Sequence, residues 1–248
     1  MQILKKSLMT LAFAGVALAS QAATIDVQFA NPIFGGFGYD VLTIQFDSPT
    51  GSKTEPVAAG RFLGAVSNPH LTDLSLFVDN QASVLMYCYD IYQFINHGAN
   101  ITYSLVNFGV TANTLDFLGA VNSVVNPIDP YAWLHPVNGS QGAAIQLGIW
   151  ESLYDTAWDI GAGSFKVTTG MDSTTDTYLA AFRTAMPGSA SLDASYTLLL
   201  ESPNVQDMIT GRRPQQGGGT QVPEPGSLAL IGLALVGLAA SRRASKTA

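Results

Sequence analysis

The chain contains a single cysteine, Cys88, in the run Val84-Leu85-Met86-Tyr87-Cys88-Tyr89-Asp90-Ile91. One cysteine excludes an intramolecular disulfide, a four-cysteine zinc site and a CxxC redox pair by counting. In an exported protein an unpaired thiol is open to oxidation and needs a partner of another kind or a buried place. A glutamine supplies one possibility. Gln146 lies in Ala143-Ala144-Ile145-Gln146-Leu147-Gly148-Ile149-Trp150-Glu151-Ser152-Leu153-Tyr154, a helical pattern whose i+3, i+4 and i+7 neighbours of Gln146 are Ile149, Trp150 and Leu153, all apolar. A primary amide on such a face must find hydrogen-bond partners or cost a few kcal/mol. Gly142, Ala143, Ala144 and Gly148 strip bulk from its surroundings, so another backbone could approach closely. The chemistry open to the pair is attack of the Cys88 sulfur on the Gln146 carboxamide with loss of ammonia, leaving an internal thioester. That step draws on proximity and needs no cofactor. The plainer alternative is that Cys88 is a small buried hydrophobe.

These two segments resemble the thioester domains of bacterial surface adhesins. Their pattern is an aromatic or Leu before Cys, then, beyond a helical insert, an apolar residue, Gln, two variable residues, an apolar residue and Trp. Here it reads Tyr87-Cys88 and Ile145-Gln146-Leu147-Gly148-Ile149-Trp150. The resemblance implies that Cys88 is the leaving group and Gln146 the acyl donor to an amine on a surface or matrix target. It also implies that Trp150 shields the bond from water, with Tyr87 and Ile149 as supporting positions of the motif. Asp90, on the same strand face as Cys88 and Met86 by period two, is a candidate for polarising the reacting groups; a solvated or hydrogen-bonded structural carboxylate is the alternative.

Other chemistry is weaker. A cysteine peptidase needs a base, and none of His70, His97 and His135 stands in a recognisable signature with Cys88. The same residues lack metal-ligand spacing, and no metal or cofactor is expected. Asp172-Ser173-Thr174-Thr175-Asp176 lacks the glycine and terminal glutamate of a calcium loop and reads as a helix N-cap. Gly161 to Lys166 reads as a turn, not a phosphate loop. Tyr131, Trp133, Trp150, Tyr154 and Trp158 could form a sugar-stacking surface, but their helical spacing places most of them in a core. No catalytic residue is assigned and an enzyme is not expected.

The elements that must position Cys88 and Gln146 follow from periodicity. Tyr39–Phe46, Val57–Val66, Leu74–Val78, Ser83–Ile91 and Ile101–Val106 read as strands, separated by Gly, Pro, Asn and Asp clusters. Asn113–Val125, Ala143–Trp158 and Ser173–Met186 repeat apolar residues at three and four and read as helices. Lys166–Thr168 and Ser195–Leu200 return to strand character. The expected fold is α+β, an antiparallel β-sandwich or barrel with a helical insertion.

Both ends carry targeting features. Lys5-Lys6, the apolar run Leu8–Ala19 and Ser20-Gln21-Ala22 make a signal peptide over residues 1–22. A body over 23–210 and a Gly-rich linker over 211–221 lead to Val222-Pro223-Glu224-Pro225, the 14-residue apolar run Ser227–Ala240, and Arg242, Arg243 and Lys246. As a helix that run is about 21 Å long, so flanking residues must extend it to span a bilayer, with the basic end inside. The region 222–248 resembles the PEP-CTERM sorting tail of Gram-negative bacteria. The resemblance implies transient anchorage in the inner membrane, processing by an exosortase-type membrane protease, and a mature protein at the cell surface or outside.

Composition supports an exported globular body. Of 248 residues, 47% are hydrophobic and 12% charged, and the net charge is −7. Between Ala23 and Gly211 only Lys53, Arg61, Lys166 and Arg183 are basic, against seventeen acids. A nucleic-acid partner needs the opposite balance and is not expected. The sequence thus leads to a surface protein attaching covalently through Cys88 and Gln146; the alternative is a non-reactive structural or carbohydrate-binding body in an extracellular polysaccharide matrix.

Overall fold

The computed structural model describes residues 24–67, 77–79, 82–106 and 109–214. Its centre is a closed antiparallel barrel in the order β1-β4-β5-β9-β8-β6. The strands are β1 (Thr24–Phe29), β4 (Phe62–Val66), β5 (Val84–Cys88), β6 (Asn100–Val106), β8 (Thr197–Glu201) and β9 (Met208–Gly211). Closure leaves no barrel strand with an unpaired edge. In β1 the alternation is plain, with Ile25, Val27 and Phe29 buried. Between sandwich and barrel, the structure selects a barrel.

Two excursions leave it between paired neighbours. Between β1 and β4 the chain runs out as the hairpin of β2 (Asp40–Ser48) and β3 (Gly51–Ala59). Between β6 and β8 it forms α1 (Ala112–Val125), α2 (Gly139–Tyr154), β7 (Phe165–Thr169) and α3 (Ser173–Ala185). The excursions meet where β7 pairs with β2, giving a three-stranded sheet β3-β2-β7 beside the barrel.

α2 is the hub. It packs against α1, α3, β2, β3, β7 and β5, and every residue from Gln141 to Ser152 is buried. A helix buried on all sides shows little amphipathic contrast. Its start is fixed by a reciprocal cap: Asn138 Oδ1 accepts from the Gln141 N–H at 2.9 Å, and Gln141 Oε1 accepts from the Val137 N–H at 2.8 Å. Thr111 and Asp172 cap α1 and α3 in the simpler way.

Several boundaries differ from the sequence reading. Val57–Val66 is two strands, broken at Gly60 and Arg61; a Cβ at Gly60 would press on Tyr39 and the Gly38 carbonyl. The central helix covers Gly139–Tyr154 rather than Ala143–Trp158: the Asn138 cap starts it earlier, and Trp158 takes a positive φ of 55° in the following loop. The Cys88 strand stops at Cys88, so Asp90 lies beyond it, and both of its faces are buried. β1 and β9 lie outside the strands that the sequence pattern predicts. Of Leu74–Val78 only Phe77 and Val78 are described, Phe77 bridging to Arg212. The signal peptide, the sorting tail and most of the linker lie outside the described residues, among which no helix is long and apolar enough to cross a membrane.

Gly148 makes room for a side chain, not for the backbone expected of it. A Cβ there would overlap the ring of Phe117. That ring is held by stacking on Trp158 (centroids 5.5 Å apart) and by the edge of Phe182 (6.1 Å). Gly148→Ala is therefore expected to lower stability by about 2 kcal/mol in urea denaturation, although alanine favours an isolated helix by about 1 kcal/mol. Unchanged stability would mean that the Phe117 ring yields.

Glu151 is 2% exposed, and neither carboxylate oxygen has a hydrogen-bond partner. Burial, then the nearby charge of Asp155, raises its pKa to about 7, with Arg183 opposing. The native state thus holds a proton that the unfolded chain releases from about pH 4.5 upward. Stability from this group falls as pH rises from 4.5 to about 7 and is flat above. Glu151→Gln should remove that loss, gaining on wild type by about 1–2 kcal/mol between pH 5 and pH 8; parallel denaturation curves at the two pH values test it.

Candidate functional site

Cys88 is the last residue of β5. On one side β5 pairs with β9, Cys88 opposite Met208. On the other, pairing with β4 ends at Phe62↔Met86, two residues short of Cys88, where a further strand residue would have to satisfy its main chain. Gln146 does so from the middle of α2. Its Oε1 accepts from the Cys88 N–H at 2.8 Å, and its Nε2 donates to the Cys88 carbonyl at 2.9 Å. The carboxamide completes the strand as a surrogate partner, with Gln146 0% and Cys88 2% exposed. The polar residue conspicuous on an apolar helix face and the only cysteine of the chain are in direct contact.

The supporting residues fall around this contact. Ile149 is fully buried, and Trp150, 2% exposed, packs near Phe165 with ring centroids 6.2 Å apart. Tyr87 donates to the Trp133 carbonyl at 3.2 Å and lies against the Trp133 ring. Burial pushes its hydroxyl far above the usual phenol range. Asp90 is half-buried and hydrogen-bonded. Its Oδ2 accepts from the Asp207 N–H at 3.1 Å and its carbonyl from Gln206 Nε2 at 2.6 Å, tying the exit of β5 to the loop before β9. Burial raises its carboxyl to about pKa 6, partly offset by the Asp207 N–H.

The electrostatics keep the cysteine neutral. Burial, then the Asp90 charge, pushes the Cys88 thiol well above its ordinary value, so the group stands as a thiol and not as the thiolate of an activated nucleophile. His97 shares a cavity wall with Cys88, but its Nδ1 accepts from the Ile33 N–H at 3.1 Å. The neutral ring then carries its proton on Nε2 and has no free acceptor to serve as a base. His135 pairs at the surface with Asp79 and Asp129, and His70 lies outside the described residues. Among the described residues no three His, Cys, Asp or Glu side chains could hold a metal ion. Trp133 and Trp150 are buried, and Tyr131, Tyr154 and Trp158 pack against the core, so these aromatics do not form an open sugar platform.

The sequence reading missed a cavity of about 190 Å³ that reaches Cys88 and Trp150. Its walls include Phe34, Phe62, Gln93, Phe94 and Ile95. The loop after β5 supplies three of these and has no periodicity by which to foresee it.

No curated protein and no solved structure matches the chain. Residues 221–243 match the PEP-CTERM protein-sorting motif, so the described barrel is the body of an exported protein whose C-terminal region carries that sorting signal.

Proposed function

We propose that this exported protein is a non-catalytic module of the cell surface or of the polysaccharide matrix around it, with the Cys88–Gln146 contact joining its central helix to its barrel. The module reading is supported by the state of that contact: the carboxamide is hydrogen-bonded through both its oxygen and its nitrogen, and the thiol is neutral and buried. In this state Gln146 is a clamp between helix and barrel. The sorting motif at 221–243 suits such a role, with an exosortase-type protease as the processing partner.

A covalent role is favoured by one specific observation, the docking of the Gln146 carboxamide on the main chain of Cys88 itself. In the proposed step Cys88 Sγ bonds to Gln146 Cδ and the Cδ–Nε2 bond breaks. Nε2 leaves as ammonia, taking the thiol proton, so no free thiolate stands in the core. The Cys88 N–H, 2.8 Å from Oε1, donates to the oxygen on which negative charge develops. An incoming primary amine would then bond to Cδ as the Cδ–Sγ bond breaks, its proton passing to sulfur. The products are an amide to the partner and a free Cys88 thiol.

Intact mass of the purified body separates the two roles. The covalent role predicts a deficit of one ammonia against the sequence, abolished in Cys88→Ala and in Gln146→Glu. Full sequence mass, with one thiol titrating after unfolding, leaves the module role alone. Loss of the clamp in Gln146→Ala should in either case cost about 2–4 kcal/mol, because it strands the N–H and C=O of Cys88. For sorting, the mature protein from its native host should end upstream of Arg242; a C-terminus at Ala248 would refute processing.

A further inference from the structure

We infer that the cavity beside Cys88 is a binding site for a slender, neutral, apolar group, and that it sets which acceptor can reach the Cys88–Gln146 pair. The acceptor part rests on the covalent role proposed above; the binding part does not. The walls are dominated by Phe34, Phe62, Ile91, Phe94 and Ile95, and among the described residues His97 is their only titratable member besides Cys88. Among the described wall residues none is a carboxylate, and the nearby Asp90 carboxyl, bound to the Asp207 N–H, stands outside the wall, so an ammonium group entering would lose its hydration without a counter-charge in contact. A volume of about 190 Å³ matches the scale on which a dry apolar cavity of about 150 Å³ takes benzene. Phe94, 66% exposed, lies at the solvent side, whereas Cys88 and Trp150, each 2% exposed, form the inner wall. Two wall residues carry buried polar atoms without a hydrogen-bond partner, the Nε1–H of Trp150 and Oε1 of Gln93, a donor and an acceptor that a hydroxyl at the head of an alkyl chain could engage after a small shift. The ligand class that follows is an alkyl chain ending in one neutral polar atom.

The chain has three tryptophans, so the Trp150 indole N–H resonance can be assigned with Trp150→Phe and followed in the intact body. n-Butanol should shift it saturably and glycerol should not. Phe94→Ala, an exposed substitution, should weaken the n-butanol effect several-fold. Ala58→Phe, which grows a ring into the cavity from a wall position, should abolish it. An unmoved Trp150 signal, or an equal response to glycerol, would overturn the binding site. Where intact mass shows the ammonia deficit, n-butylamine and methylamine, equally basic, should differ in the rate of adduct formation. Each buried methylene is worth about fourfold, so n-butylamine should react about tenfold faster or more. Equal rates, or faster reaction of methylamine, would overturn acceptor selection while leaving the covalent role intact. Absence of the deficit would remove the covalent role and leave the n-butanol result to decide the site.

Discussion

The structure depends on one constraint: the main chain of Cys88 must be satisfied where β4 has already stopped pairing with β5. In a buried strand an unpaired N–H and C=O are costly, and the nearest rescue is a side chain that offers an acceptor and a donor together. A primary amide is the side chain with that pairing, and Gln146 presents it from a helix buried all round. The two hydrogen bonds fix the rotation of α2, since turning the helix by one residue would aim Leu147 at the strand end instead. They fix its height as well, and with it the position of everything that packs on α2.

This explains why two excursions of the chain can cooperate. The β2–β3 hairpin and the segment carrying β7 leave the barrel between different strand pairs, yet β2 and β7 pair from Phe46↔Phe165 to Thr43↔Thr169, with one irregularity. α2 touches all three strands of that sheet and also β5. Docking α2 on the barrel through Gln146 therefore places the surface on which the second sheet assembles. The Asp155 carboxylate reinforces the arrangement just past the helix, accepting from the N–H groups of Ser164 and Phe165 as the chain enters β7.

How much of this was legible depended on whether the physical signal was local. Gln146 could be singled out because its polarity conflicts with its helical neighbours, and Cys88 because it is alone; their contact followed from each needing a partner. The three helices were legible from period and caps. β9 was not, because Met208-Ile209-Thr210-Gly211 is four residues without alternation, buried throughout, and is specified by its two neighbours in the barrel. The end of β5 was overrun because Tyr89, Asp90 and Ile91 continue an apolar-aromatic pattern. What ends the strand is tertiary: Asp90 turns to bind the Asp207 N–H. The cavity could not be read at all, since its described walls come from five separate stretches of chain.

The same burial that makes the clamp strong sets its chemistry. A thiol in an open, polar site ionises readily; Cys88 has its proton held by desolvation and by the nearby Asp90 charge. Reactivity in such a place can come only from geometry, that is, from an amide already held against the cysteine by bonds that order its carbonyl. The N–H that holds the Gln146 oxygen in the resting clamp is also the donor that would stabilise charge on that oxygen. Stability and the proposed acyl transfer would therefore draw on the same hydrogen bond. A substitution that loosens it removes the support of the barrel edge together with any acyl transfer, so the two can be separated only by changing the sulfur and leaving the amide in place.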